Sequence, residues 1–518
     1  MTPEYRRDNM RITNQMVTGN SLRNMQKSMT EVNKRTEQMT SGKKISQASD
    51  DPVIAIRALK LRTTVNQLEQ YKKKNIPDAE SWLKITTTSL SNITSRIEDI
   101  QTYCVQGSTD SFNSTNRSAI IDSLKELQDM LYSEGNSTYA GRYIFSGYKT
   151  DRALAFTETE DTTKYSYDIT QHFTANALDT KNVVWDGVDY TKVDSYIADP
   201  TTYKQPDSEM IYRLNLAYEG IDNTNNAGDT VLSLKALDKD GNEISLAGFT
   251  TTVMETDDAD AYYKVGPNDI HVIKETGEIV FGENVYNTLK TADDISVSYA
   301  KKEFEASDLR PEHYFDCKQY TVQTDGSVKE TEYTKPEAGQ KIYYEVNFNQ
   351  SLQVNTEGNQ LISEEMTNDI NDLIYALDEL QAAESAQAKL KSMLSDVQYA
   401  SNDDAVAQIN RMLDDIDVEI ALKKENMQKT FSANITNFQN YMSMVSAVQS
   451  EVGSRMTKLD MVSTRVDEQY ASFKELKSKN EDAETDETII DFNEANLVYE
   501  SALAATGNIM QKTLLDYI

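Results

Sequence analysis

Residues 41–52 read SGKKISQASDDP, and their reading decides how the chain is divided. Before them, Leu22, Met25, Met29, Val32, Thr36 and Met39 recur in alternating steps of three and four, the spacing of a coiled-coil seam. After them, Ile54, Ala58, Leu61, Val65 and Leu68 resume the same steps. The two seams are out of phase. Continuing the first would bury Lys43, Ser46, Asp50 and Arg57, and an unpaired charge is costly to bury. The local chemistry agrees. Gly42 suits the left-handed residue that ends a helix, and Lys43 and Lys44 suit its negative end. Asp51 suits an N-cap, held extended by Pro52, which in turn suits the first helical position. The stretch therefore predicts a break between two helices, with Gly42, Asp51 and Pro52 as its hinge.

Working outward, a third seam runs through Ala79, Leu83, Thr86, Leu90, Ile93, Ile97, Ile100 and Cys104, preceded by Pro77 and followed by Gly107. A shorter one carries Ile120, Leu124, Leu127 and Leu131. From about 151 to 355 the heptads vanish and a period of two replaces them. TVLSLKALDKDGNEISL (230–246) and DIHVIKETGEIVFGENV (269–285) read as strand–turn–strand, and KIYYEVNFNQSLQVN (341–355) as extended. Helix returns with Met366, Ile370, Leu373, Leu377 and Leu380, then with the seam Val445, Val448, Val452, Met456, Leu459, Val462 and Val466. After the acidic stretch 478–487, a last helix gathers Phe492, Tyr499, Leu503, Met510, Leu514 and Tyr517 on one face.

The expected fold class is α+β, mainly α: long terminal helices packed as a coiled-coil-like bundle around a β-rich insert. Its segments are an inner helix and hinge (10–50), a helical rod (51–150), the insert (151–355), a second rod (356–480) and a last inner helix (481–518). Residues 10–75 hold 13 Lys or Arg against 5 Asp or Glu, whereas residues 481–518 hold one Lys against 9 acids. Opposite charge favours docking of the two ends on each other. Helices with narrow seams in a polar chain have to find partners. The stripes Leu22, Met25, Met29, Val32, Met39 and Phe492, Tyr499, Leu503, Met510, Leu514, Tyr517 are thus the candidate assembly surface.

The 518 residues carry a formal net charge of −32 and a mean hydropathy of −0.62. That field excludes nucleic acid as a partner, because phosphates would be repelled. No run of 18 apolar residues predicts a membrane span, and MTPEYRRDNMRITNQ at the N-terminus is too polar for a signal peptide. Two cysteines make no disulfide framework, and Cys104 falls on a seam. His172, His271 and His313 lack ligand spacing, and DKDGNE (238–243) has its glycine two positions early for a calcium loop. No nucleophile motif or phosphate loop occurs. We expect no catalytic residue, metal or cofactor.

MRITNQMVTGNSLRNM (10–25) and SGKKISQASDDPVIAIRALKLR (41–62), each followed by a long helix, resemble the N-terminal region of the flagellin superfamily. NLVYESALAATGNIMQKTLLDYI (496–518) is similar to the end of the flagellar hook-associated protein 3 family, the hook–filament junction. The resemblance covers about 150 residues at each end. Flagellins share the plan, but their last helix is richer in Gln and Asn and lacks the aliphatic ending TLLDYI. The insert is longer than is typical of the junction family, and residues 1–9 precede its usual start, which suggests an upstream start codon.

The resemblance implies a structural protein, not an enzyme, exported unfolded through the flagellar type III channel without signal cleavage to the outside of the cell. It implies self-assembly as a ring at the hook tip that templates flagellin. The implied partners are other copies, the other hook–filament junction protein, flagellin, and an export chaperone on the C-terminal helix. Flagellin or the other junction protein is the alternative within the class. A secreted coiled-coil adhesin is the alternative outside it.

Overall fold

The computed structural model describes residues 14–109, 114–185, 187–225, 228–256, 261–336 and 339–511. Its long helices are α1 (Asn14–Ser41), α2 (Pro52–Gln70), α3 (Ile76–Ser108), α4 (Ser114–Gly135), α5 (Glu364–Leu394), α6 (Asp403–Glu481) and α7 (Thr485–Gln511). The strands lie between α4 and α5, so the chain is α+β and mainly α. Contacts divide it into two compact units. The first comprises residues 1–78, 345–351 and 458–518; the second comprises 79–344 and 352–457.

In the second unit, α4 packs on α5, burying Leu124, Leu127 and Leu131 from one helix and Met366, Ile370, Leu373, Leu377 and Leu380 from the other. Among the described residues the β region holds two large sheets, besides two two-stranded ones. One is ordered Asp179–Trp185, Asp207–Asn215, Glu278–Phe281, Asp269–Ile273, Thr250–Met254, antiparallel except for its last pair. The other is ordered Val328–Tyr333, Asp316–Val322, Tyr165–Phe173, Asp294–Lys302, Ile221–Asp222, with Ser233–Leu237 also on the Asp294–Lys302 strand. Leu214, Ile270, Val272 and Ile279 of the first sheet share one core with Ile169, Val297 and Tyr299 of the second. Alternate residues of both sheets thus turn inward, as a two-layer β arrangement requires.

Of the hairpins read from the sequence, Asp269–Ile273 and Glu278–Phe281 pair directly, with Gly277 at φ +67 in the turn. The segment at 230–246 also turns back on itself, but briefly. Asp238 N–H donates to Asn242 O at 2.9 Å and Ile244 N–H to Ala236 O at 2.8 Å around the bridge Leu237↔Glu243, while the longer pairing of its first strand is with Asp294–Lys302. The carboxylate of Asp238 accepts from the amides of Asp240 and Asn242, each at 2.9 Å, and fixes the turn. The stretch at 341–355 is itself a hairpin, Tyr343–Asn347 with Gln350–Gln353, turning at Asn349 with φ +52.

Pro77, which precedes the third seam, does not end the helix: it continues from α2 to α3 through a π-helical turn, Tyr71–Asn75. The buried positions give the reason. Leu61 to Leu68 is seven residues, as are Ile76 to Leu83, Leu83 to Leu90, Leu90 to Ile97 and Ile97 to Cys104. From Leu68 to Ile76 the step is eight. A π turn absorbs one extra residue without turning the seam away from its partners. Pro77, which has no N–H to give, enters where that turn has already shifted the hydrogen-bond ladder.

Candidate assembly surface

In the first unit, α1 and α7 pack together, and they run antiparallel. Arg35 pairs with Asp491 at 2.8 Å, while Gly42, seven residues further along the chain, meets Ala483, eight residues back. The less exposed positions of α1 include Thr18, Ser21, Met25, Ser28, Val32 and Arg35, with Val17, Gly19 and Gln38 beside them. Those of α7 include Thr488, Phe492, Ala495, Tyr499, Ala502, Thr506 and Ile509, with Asp491 and Asn496 beside them. Both sets keep the three–four alternation of a coiled coil. Small side chains dominate the seam, which lets the two backbones approach closely and leaves room for Phe492 and Tyr499.

The seam is therefore offset by one residue from the stripe read in the sequence. Met25 and Val32 face inward, but Ser21, Ser28 and Arg35 occupy the alternate positions, and Leu22, Met29 and Met39 are exposed. On α7, Phe492 and Tyr499 turn in while Leu503 turns out at 51% exposure. The side chain of Met510, and residues Leu514 and Tyr517, lie outside the described residues. Further large apolar side chains lie outside the pair: Met16 on α1, and Ile489, Ile490, Leu497 and Val498 on α7, with Ile490 and Leu497 each about two-thirds exposed. Val53, Ile56 and Leu59 form a similar exposed row on α2. The sequence reading missed these last two sets. On α7 their signal was the seven-residue spacing of Ile490 and Leu497, interleaved with that of the small residues Ala495 and Ala502.

The pair is partly inverted relative to a self-sufficient helical hairpin. Ser21, Ser28, Ala495 and Ala502 lie inside beside Met25, Val32, Phe492 and Tyr499, while Leu22, Met29, Leu497 and Leu503 lie outside, so much of its possible burial lies against something else. Each such side chain carries about 1.5–3 kcal/mol when fully taken out of water. Isolated surface apolar residues need no explanation, but aligned rows of them mark an interaction surface.

The segment 41–52 fixes one end of this pair. Gly42 has φ +66, and its amide bonds the carbonyl of Gln38 at 2.9 Å. Beyond it the chain runs antiparallel to residues 481–483. Lys44 N–H donates to Glu481 O at 2.8 Å, Ala483 N–H to Gly42 O at 2.9 Å, and Lys43 pairs with Asp482. Asp50 gathers the amides of Ser46 and Gln47 into a tight loop. Asp51, extended at φ −151, accepts from the amides of Val53 (2.9 Å) and Ile54 (3.1 Å), and Pro52 opens α2. Glu481 is almost fully buried, and Arg62 grips both its oxygens at 2.6 and 2.9 Å. Burial pushes its carboxyl up, but Arg62 and Lys43 outweigh that and hold it below the usual range. The opposite charges of the two ends meet here as named pairs.

Residues 12–150 match the bacterial flagellin N-terminal helical region. Over 145 residues the chain is 32% identical to flagellar hook-associated protein 3 of Escherichia coli, covering 28% of this chain and 45% of that protein. Over 129 residues it is 31% identical to a flagellin of Clostridium tyrobutyricum, covering 25% and 34% respectively. The chain thus spans less than half the length of the curated relatives it matches. Among solved structures, a putative flagellar hook-associated protein from Vibrio parahaemolyticus aligns over 84% of this chain and 100% of its own, at 12% identity and a TM-score of 0.34.

Proposed function

We infer that this chain is a member of the flagellar hook-associated protein 3 family and serves as a structural part of the bacterial flagellum that joins the hook to the filament; its match to that protein of Escherichia coli and to the flagellin N-terminal helical region supports this. The observation that carries this reading is the partly inverted α1–α7 pair, which leaves rows of large apolar side chains facing outward. Such a pair gains its full burial only against neighbours, so folding at the termini and assembly are one process. Neighbours of the same kind, other copies of this chain arranged as a ring, would bury those rows repeatedly, and flagellin would continue the same packing above them. The other junction protein would lie below the ring. A chaperone covering α7 before export through the type III channel would solve the solubility problem that Ile490, Leu497 and Leu503 create. No covalent chemistry is asked of the protein in this role.

Immunogold electron microscopy of flagella tests the reading. A single band at the hook–filament boundary, and hooks without filaments in a deletion strain, are expected. Label along the whole filament would make the chain a flagellin, and label over the cell surface an adhesin. Complementation with Leu22→Asp, Leu497→Asp and Leu503→Asp together should fail to restore filaments while the chain is still made and keeps its β region folded. Filaments of normal length from that variant would remove the assembly surface.

A further inference from the structure

The step of eight between Leu68 and Ile76 forces one extra residue into the helix, and an extra residue has no intrinsic reason to stay where it is. In a regular helix it can be carried as a wide turn at any of several positions, each moving the residues between them out of their seam. Something has to select Tyr71–Asn75. The hairpin Tyr343–Gln353 does so from outside the helix. Its Phe348 sets a ring edge-on to Tyr71, the first residue of the π turn, with centroids 5.6 Å apart and planes at 89°. Asn75, the last residue of the same turn, donates its side-chain amide to the backbone carbonyl of Glu345 at 2.8 Å. The turn is thus gripped at both ends by one hairpin tip. On another side, Lys72 pairs with Asp467 at 2.9 Å and lies over the ring of Tyr470, both on α6. Lys73 and Lys74, by contrast, point to solvent.

We propose that the tip of the Tyr343–Gln353 hairpin is a register clip: it pins the supernumerary residue of the α2–α3 helix in the Tyr71–Asn75 turn and so keeps the buried row Ala58, Val65 and Leu68 in place. The clip is independent of the assembly reading, since it acts within one chain. Its weakness would be felt at α2, which carries the exposed row Val53, Ile56 and Leu59 and begins at the break after α1.

The proposal separates a clip from ordinary packing by one experiment on the full-length chain. Deleting Lys73, an exposed residue whose ion pair is with Glu69 four positions away, makes the Leu68–Ile76 step seven and removes the reason for a π turn. Amide hydrogen exchange of residues 62–76 is then compared across four proteins: the parent, Phe348→Ala, the Lys73 deletion, and both changes together. In the parent background Phe348→Ala should speed exchange of this segment by about tenfold, the order of an edge-on aromatic contact. In the deletion background it should change exchange less than twofold, because no extra residue remains to be pinned. Equal acceleration in both backgrounds would make the hairpin a packing contact and overturn the proposal, as would no acceleration in the parent. If Phe348→Ala or the deletion destabilises the chain too far to measure, Asn75→Ala releases the other grip and is subject to the same comparison.

Discussion

The terminal helix pair and the β region solve the same problem in opposite ways. In the β region large apolar side chains such as Tyr167, Phe281 and Tyr299 are sealed within the sheets, and buried polar ones such as Arg213 and Glu278 are paired there, so burial is met within one chain. In the α1–α7 pair the inside holds Ser21, Ser28, Ala495 and Ala502 beside Met25, Val32, Phe492 and Tyr499, and the outside carries Leu22, Met29, Leu497 and Leu503. The difference shows that a heptad pattern tells where apolar residues gather, not which surface will cover them. Where a fold leaves its larger residues out, stability and assembly are no longer separable quantities.

The largest expected effect makes this difference measurable in the isolated chain. Phe281→Ala opens a cavity in a site that is 2% exposed and should destabilise the β region by about 3–5 kcal/mol. Leu22→Ala and Leu503→Ala, at exposed positions, should each change monomer stability by no more than about 0.5 kcal/mol, yet cut assembly sharply. Both tryptophans, Trp82 and Trp185, lie in the second unit, so their fluorescence during urea unfolding reports that unit alone. The terminal pair is read instead by hydrogen exchange of α1, where a loss above about 2 kcal/mol from Leu22→Ala in a verified monomer would show that the pair is closed after all.

The two regions should also answer pH with opposite signs. Asp369, on α5, lines a cleft of about 690 Å³ and accepts from the hydroxyl of Tyr441 at 2.7 Å; among the described residues no lysine or arginine is within ion-pair distance of it. Burial pushes its carboxyl up to about 7, against the pull of Tyr441 and Asn437 and helped by the nearby charge of Asp372. A carboxyl raised on folding gives stability that is present at low pH and lost as pH climbs from about 4 towards 7. The folded-to-unfolded ratio should fall by up to about tenfold per pH unit in that window, and Asp369→Asn should abolish that fall. Glu481 and Asp482 are held low, the first by Arg62 and Lys43 against burial, the second chiefly by its hydrogen bond from Lys43. Their contribution is present above about pH 4 and is lost as pH falls further. Protection factors for amide exchange of residues 43–62, taken against the intrinsic rate at each pH, should fall in acid, and less so in Arg62→Ala. A common pH trend in both regions would remove the contrast.

How much of this was legible in the sequence depended on whether the signal was local. The conformations of Gly42, Asp51 and Pro52 follow from one residue's own chemistry, and the seams of α3 and α5 from spacing alone. The Asp269–Phe281 hairpin follows from Gly277. What escaped required knowledge of a partner. The choice of Ser21 over Leu22 for the seam depends on α7, which is more than 450 residues away in the chain. Ser233–Leu237 also takes a distant strand, Asp294–Lys302, which no local signal names. The π turn was in principle readable, since the eight-residue step is in the sequence, but Pro77 is the louder signal there.

The smallest effect lies at the joint where the inverted pair ends. Asp51 satisfies two otherwise orphaned amides of α2, and Asp51→Ala should cost about 1 kcal/mol, which is about fivefold in local opening. What matters is where that opening appears. If the stretch 42–52 is a hinge that lets α1 and α2 find separate neighbours, exchange of residues 53–56 should quicken while α1 and α7 stay as protected as before. The backbone bonds of Lys44 to Glu481 and of Ala483 to Gly42 hold the pair without reference to α2. If instead the stretch is a stiff connector, fraying at Val53 should pass through Asp50 and Ser46 and loosen residues 30–41 as well. Replacing 42–52 by helix-forming residues of equal length sharpens the same question. It would run helix through positions 43, 46 and 50 and lock α1 and α2 into one rod with their seams out of phase. Filaments assembled normally from that variant would leave the stretch no role beyond joining two helices.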